Sequence, residues 1–136
     1  MEVITDLATD LPTVAGDDQK LQQVLLNLLV NAEHAMQRSP RRMLTVRTRH
    51  DPAGVTVVIG DTGLGMTPEV ASHIFEPFYT TKVAGDGTGL GLSVSYGIIQ
   101  AHHGTIEVTS SPGMGSAFTL HLPLGVVDAP PVVTDE

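Results

Sequence analysis

The chain has 136 residues, the size of one ordinary domain with a single core, and no cysteine, which excludes disulfides, iron–sulfur ligation, thiolate zinc sites and a thiol nucleophile. Lys and Arg total 7 against 15 Asp and Glu, a formal net charge of −8 with histidines neutral, which excludes a bulk electrostatic grip on nucleic acid or on an anionic membrane surface. No apolar stretch approaches the roughly 20 residues of a membrane span and nothing after Met1 reads as a secretory leader, so a soluble chain is expected, and the 14 glycines mark its informative segments.

Glu2 to Leu7 mixes polar and apolar residues as a short edge strand does, closed by Leu11-Pro12. From Asp17 the spacing changes to steps of three and four (Leu21, Val24, Leu25, Leu28, Leu29, Ala32, Ala35, Met36). It predicts one long helix with a buried stripe, capped by Asp17 or Asp18 and ended at Ser39-Pro40. Met43 to His50 alternates and Val55 to Ile59 is β-branched, with Asp51-Pro52-Ala53-Gly54 between them, a hairpin pattern. Thr67-Pro68-Glu69 is a polar cap with a first-turn proline, opening a short helix to about Ile74. A glycine cluster from Gly85 to Gly91 runs into a helix over Leu92 to His102, with Leu92, Val94, Ile98, Ile99 and Ala101 apolar. Thr105 to Thr109 and Ala117 to Leu122 then flank the turn Ser111 to Gly115. Residues 1–124 are expected to be one domain and 125–136, with Pro130-Pro131 and no period, a tail or linker. Five strands and three helices without βαβ alternation predict a two-layer α/β sandwich with the helices on one face of a mixed sheet.

Three constellations carry chemistry. Asn27 and Asn31 stand four apart on the long helix, so their amides share a face; a neutral amide oxygen suits Mg²⁺, and equally suits satisfying backbone groups at a helix margin. Asp61 ends an apolar strand before Thr62-Gly63-Leu64-Gly65-Met66, where a carboxylate can accept the amino hydrogens of a purine or close an ordinary Asp-Thr-Gly turn. No second Asp-Thr-Gly is present to make the paired carboxylates of an aspartic protease. Gly85 to Leu92 places unhindered N–H groups at a helix start, a setting for phosphate or for a hinge. Before it, Ile74 to Lys82 holds Phe75, Phe78 and Tyr79 next to Thr80, Thr81 and Lys82, an aromatic anchor followed by a lid, with Phe75 and Phe78 expected as packing residues. None of the histidines at 34, 50, 73, 102, 103 and 121 forms a His-Glu-x-x-His zinc pair.

Taken in order, these segments resemble the ATP-binding domain of sensor histidine kinases, in the superfamily shared with gyrase, the large heat-shock chaperone and the mismatch-repair ATPase. Leu21 to Ala32 is similar to the N box, Asp61 to Met66 to the first glycine box, Ile74 to Lys82 to the F box, and Gly87 to Leu92 to the second glycine box. The resemblance implies a Bergerat-type fold that uses ATP and Mg²⁺. It implies Asn31 as the metal ligand, Asp61 as acceptor for the adenine amino group, and Gly63, Gly65 and Met66 as the turn against the base. Asn27 and His34 would lie near the phosphates, Gly87, Thr88, Gly89, Leu90, Gly91 and Leu92 would clasp them, and Thr80, Thr81 and Lys82 would belong to the lid. Asn27, Asn31 and Lys82 are the implied catalytic groups.

Two departures refine this. No histidine sits in the family's phosphoacceptor setting, a helical His followed by an acidic residue, so the resemblance implies a catalytic part that donates the γ-phosphoryl to a histidine on a separate dimerisation domain, and thence to a response regulator, in the cytoplasm. Asn27 stands where the superfamily's hydrolases place a water-activating Glu, so slow hydrolysis is expected. The alternative is a stand-alone anti-sigma-factor-type serine kinase and binding module of the same superfamily.

Overall fold

A computed structural model describes residues 1–77 and 91–124 of the chain. Strand β1 (Glu2–Asp6) leads to helix α1 (Asp18–Met36), and strands β2 (Met43–Asp51) and β3 (Gly54–Asp61) form the expected hairpin. Helices α2 (Pro68–His73) and α3 (Gly91–Ala101) follow, and strands β4 (Thr105–Ser110) and β5 (Ser116–Pro123) close the fold. The sheet order is β1-β2-β3-β5-β4, with β1 parallel to β2 and every other pair antiparallel. This is the mixed five-stranded sheet of a two-layer α/β sandwich, in which α1 packs on β3 and the other two helices on β4.

β1 is an edge strand exposed at all five residues, as its mixed composition predicts. It is tied to β2 by Asp6, whose carboxylate meets Arg49 at 2.6 Å and Arg47 at 3.4 Å. The hydrogen bond from the Arg49 guanidinium, more than any other influence, holds the Asp6 carboxyl below its ordinary value.

One core lies between the layers. α1 contributes Val24, Leu28, Ala32 and Met36, the sheet Leu44, Ile59, Ile106, Phe118, Leu120 and Leu122, and α3 Ile99. Two features differ from the sequence pattern. The buried stripe of α1 is narrower than the apolar spacing, because the helix meets one sheet face and α3 only; Leu25 is exposed, as are Leu26 and Val30. The helix also stops at Met36 and not at Ser39. Its last turn tightens, with the Gln37 N–H bonded to the His34 carbonyl, and the Ser39 hydroxyl donates at 2.7 Å to the carbonyl of Thr62.

The start of α1 is fixed from two sides. The Asp17 carboxylate accepts the N–H groups of Gln19 and Lys20 at 3.0 and 3.1 Å, and the Asp17 N–H donates to Nε2 of His102 at 3.0 Å. Nδ1 of that ring lies 2.8 Å from the Ile98 carbonyl, an acceptor only, so Nδ1 carries the proton and Nε2 is free to accept. A Cβ at Gly16 would run into the His102 ring, so glycine is what lets this ring reach the cap. Asp17→Ala is expected to cost about 1 kcal/mol of folding stability, read as a lower urea midpoint at unchanged slope.

Candidate functional site

Asp61 closes β3, paired across the sheet with Leu44 on one side and Ser116 on the other, and is buried at the end of the sheet's middle strand. Oδ1 accepts the Gly63 N–H at 2.8 Å, whereas Oδ2 is buried with no partner among the described residues. Burial pushes the Asp61 carboxyl above its ordinary value, and hydrogen bonds from the Gly63 and Ser116 backbones only partly offset that rise. A buried carboxylate oxygen left without a donor is costly to the folded chain.

The turn after Asp61 is held on three sides. The Thr62 hydroxyl donates at 2.6 Å to the Arg41 carbonyl and accepts the Met43 N–H at 2.9 Å. Gly63 lies so close to the carbonyl of Ala35 that a Cβ would not fit between them. Gly65 adopts φ +73°, and a Cβ there would strike the Ser111 carbonyl. Met66 donates its N–H to the Ser110 hydroxyl at 2.8 Å and packs its side chain on the core. Both glycines thus have a packing reason in addition to the ligand-facing role that the resemblance implies.

Asn27, Asn31 and His34 share one face of α1, at steps of four and three, and each is half-buried. Nδ2 of Asn27 donates at 3.2 Å to the Gly91 carbonyl and at 3.2 Å to the Ser95 hydroxyl, which itself donates at 2.9 Å to the Gly91 carbonyl. α1 is therefore pinned at two places: Ala35 against the Asp61 turn and Asn27 against the first turn of α3. The eight steps from residue 27 to residue 35 span about 12 Å along the helix axis. Between them lie Asn31 and His34, so the buried acceptor and the start of α3 stand at opposite ends of one polar helix face.

The beginning of the aromatic segment is a packing element, as expected of Phe75: its ring lies 5.4 Å from that of Tyr96 and meets Phe118 edge-on at 6.1 Å. Phe78, Tyr79, Thr80, Thr81, Lys82, Gly87, Thr88, Gly89 and Leu90 lie outside the described residues, as does 125–136. Leu92 packs against the core and Gly91 opens α3. Among the described residues no group of three or more His, Asp or Glu is placed to hold a metal, so a cation beside α1 would rest on the neutral amides of Asn27 and Asn31 and on oxygens that a ligand brings. Sequence spacing missed Ser95, which is fully buried on the inner face of α3 while Val94 and Ala101 of the expected apolar face are exposed. The signal was present: Gly91, Ser95 and Ile99 follow at four-residue steps, with a hydroxyl inside the stripe.

The family model for "Histidine kinase-, DNA gyrase B-, and HSP90-like ATPase" matches residues 16–126. The sensor histidine kinase ZraS of Klebsiella oxytoca is 46% identical over 112 residues, covering 82% of this chain and 23% of that protein. The signal transduction histidine-protein kinase AtoS of Escherichia coli (strain K12) is 41% identical over 125 residues, covering 91% and 20%. Among solved structures, the catalytic domain of histidine kinase ThkA superposes with a TM-score of 0.78 at 28% identity, covering 91% of this chain and 80% of that one. Full-length ShkA in complex with AMPPNP superposes at 0.76 and 30% identity, covering 95% and 27%. The chain thus spans between a fifth and a quarter of the length of these curated relatives.

Proposed function

The chain belongs to the family of histidine kinase-, DNA gyrase B- and HSP90-like ATPases, and on that premise we propose that it binds MgATP and donates the γ-phosphoryl to a histidine on a separate dimerisation and phosphoacceptor domain. The acceptor would pass the group to a response regulator, and the domain would work in the cytoplasm as the catalytic part of a longer sensor kinase. The observation that carries this reading is the orphaned Oδ2 of Asp61, a buried acceptor with one missing donor. An adenine amino group supplies that donor, and the AMPPNP complex of ShkA supports a nucleotide as the ligand. The serine-kinase alternative has no such support, since the relatives described above are histidine kinases.

In this reading the chain's own groups hold and orient. Asp61 takes the base, and the residue 62–66 turn, braced against Ala35, keeps the carboxylate from swinging out. The polar face of α1 leads from the base to the phosphates, with Asn31 offering an amide oxygen to the metal and His34 lying on the phosphate side. Gly91 and the loop before it, Gly87 to Leu90, would present N–H groups to the triphosphate, with Thr80, Thr81 and Lys82 in the lid. Magnesium, when bound with the nucleotide, would neutralise phosphate charge. The residues fit it, because amide oxygens are acceptable to Mg²⁺ and add no negative charge beside the phosphates.

Titration calorimetry with ADP, in magnesium and in a chelator, tests the assignment. Asn31→Ala is expected to lose most of the magnesium-dependent gain in affinity while metal-free binding persists. A full gain in that variant would remove Asn31 from the metal, and absence of ADP binding by the native chain would overturn the nucleotide reading itself.

A further inference from the structure

We propose that Ser95 is a positioning residue: its buried hydroxyl locks the Asn27 side-chain amide with Nδ2 against α3 and Oδ1 turned toward the phosphate and magnesium side of the site. What Oδ1 meets rests on the nucleotide-binding reading above; how the amide is oriented rests on the fold alone. The Gly91 carbonyl is an acceptor and nothing else, and the Ser95 hydroxyl spends its proton on that carbonyl at 2.9 Å. The Ser95 oxygen is therefore left with lone pairs only. Both atoms facing Asn27 then demand a donor, which Nδ2 supplies at 3.2 Å to each. Turning the amide over would set Oδ1 against two oxygens and lose both hydrogen bonds, beside a serine with no solvent exposure.

The consequence is preorganisation. An amide tied by one hydrogen bond can rock about its last torsion, whereas one tied to two acceptors in a triangle with Gly91 has a single orientation. Its oxygen is then already aimed when the phosphates arrive, and no ordering is needed at that moment. Because Gly91 opens α3, the same triangle ties the polar face of α1 to the helix that follows the glycine loop.

A double-mutant cycle with Ser95→Ala, Asn27→Ala and the pair, read by calorimetry with ADP in magnesium and in a chelator, tests this. Ser95→Ala is expected to lower the ratio of magnesium-bound to metal-free affinity by roughly three- to tenfold, and to have no further effect once Asn27 is alanine. A packing role alone would shift both affinities together and leave the ratio unchanged. In the nucleotide-free chain, the Asn27 side-chain amide protons should exchange slowly with solvent by NMR and faster in Ser95→Ala. An unchanged ratio, a loss that persists in the Asn27→Ala background, or unaltered amide exchange would overturn the proposal. Failure of the native chain to bind ADP would strike the nucleotide reading, and the exchange measurement would still decide the positioning.

Discussion

Asp61→Ala is expected to weaken ATP binding by roughly ten- to a hundredfold, because a buried hydrogen bond to a charged group contributes ~1.5–3 kcal/mol. GTP, whose base presents a carbonyl oxygen where adenine presents an amino group, should bind the native chain poorly, since Oδ2 would then face an acceptor. The same atom makes two pH predictions of opposite sense. Burial raises the Asp61 carboxyl above its ordinary value, so the nucleotide-free fold holds this proton more tightly than the unfolded chain does. That contribution to stability is fully present below the ordinary carboxyl value and is lost as pH rises through the raised one, and Asp61→Asn should flatten this part of the stability profile. Adenine bound as proposed would recruit the ionised form, so ATP affinity should instead fall as pH drops through the raised value, with proton release on binding. Calorimetry giving Asp61→Ala the native affinity for ATP would take Asp61 out of the site.

The elements that could be read from the sequence are those specified by near neighbours. Asp17 caps α1 and Thr67 with Pro68 opens α2 because a side chain two or three residues away supplies the partner, and such signals sit in one short window. The hairpin of β2 and β3 follows from alternation around Asp51 to Gly54. The breadth of the buried stripe on α1 could not be read, since it depends on what packs there. Leu25 fits a helical stripe as well as Leu28 does, yet sheet and α3 together cover only the line from Val24 to Met36.

The site divides along the same line. The placement of Asp61 at a strand end and of Asn27 and Asn31 on one helix face is legible in the sequence, because spacing relative to glycine and to the helix face is local. The groups that orient them are not, because the partners come from far along the chain: Ser95 reaches Asn27 across 68 positions, and His102 reaches Asp17 across 85. A serine inside an apolar stripe and a glycine before a cap are the traces such contacts leave, and neither names its partner until the fold brings the two together. Gly63 illustrates the converse. It reads as a ligand-facing turn in the sequence, and the structure adds a backbone contact with Ala35 that forbids a side chain whether or not a base is bound.

The chain by itself is expected to bind ATP while neither phosphorylating itself nor hydrolysing the nucleotide appreciably. His34 lies in α1 but precedes Ala35, His50 precedes Asp51 but lies in a strand, and His73 ends α2 before Ile74. His102 and His103 follow α3 and His121 lies in β5, so none matches a helical His followed by an acid. Incubation with radiolabelled MgATP should leave no acid-labile label on the protein, and a compatible dimerisation hairpin added in trans should restore transfer only weakly, without the effective concentration that tethering provides. Label on the isolated chain would overturn this account. Hydrolysis should be slow because an amide at position 27 cannot take a proton from water. Asn27→Glu would place a carboxylate there, but it would also set that carboxylate against the Gly91 carbonyl, so that two acceptor oxygens repel. The new side chain should be pushed out of line, so the hydrolytic gain is expected to fall well short of the ~10²–10⁴-fold that a placed general base contributes. Adding Ser95→Ala to Asn27→Glu should not raise hydrolysis further, since the Gly91 carbonyl still opposes the carboxylate; a large gain in the double variant would show that this carbonyl does not hold a carboxylate at position 27 out of line.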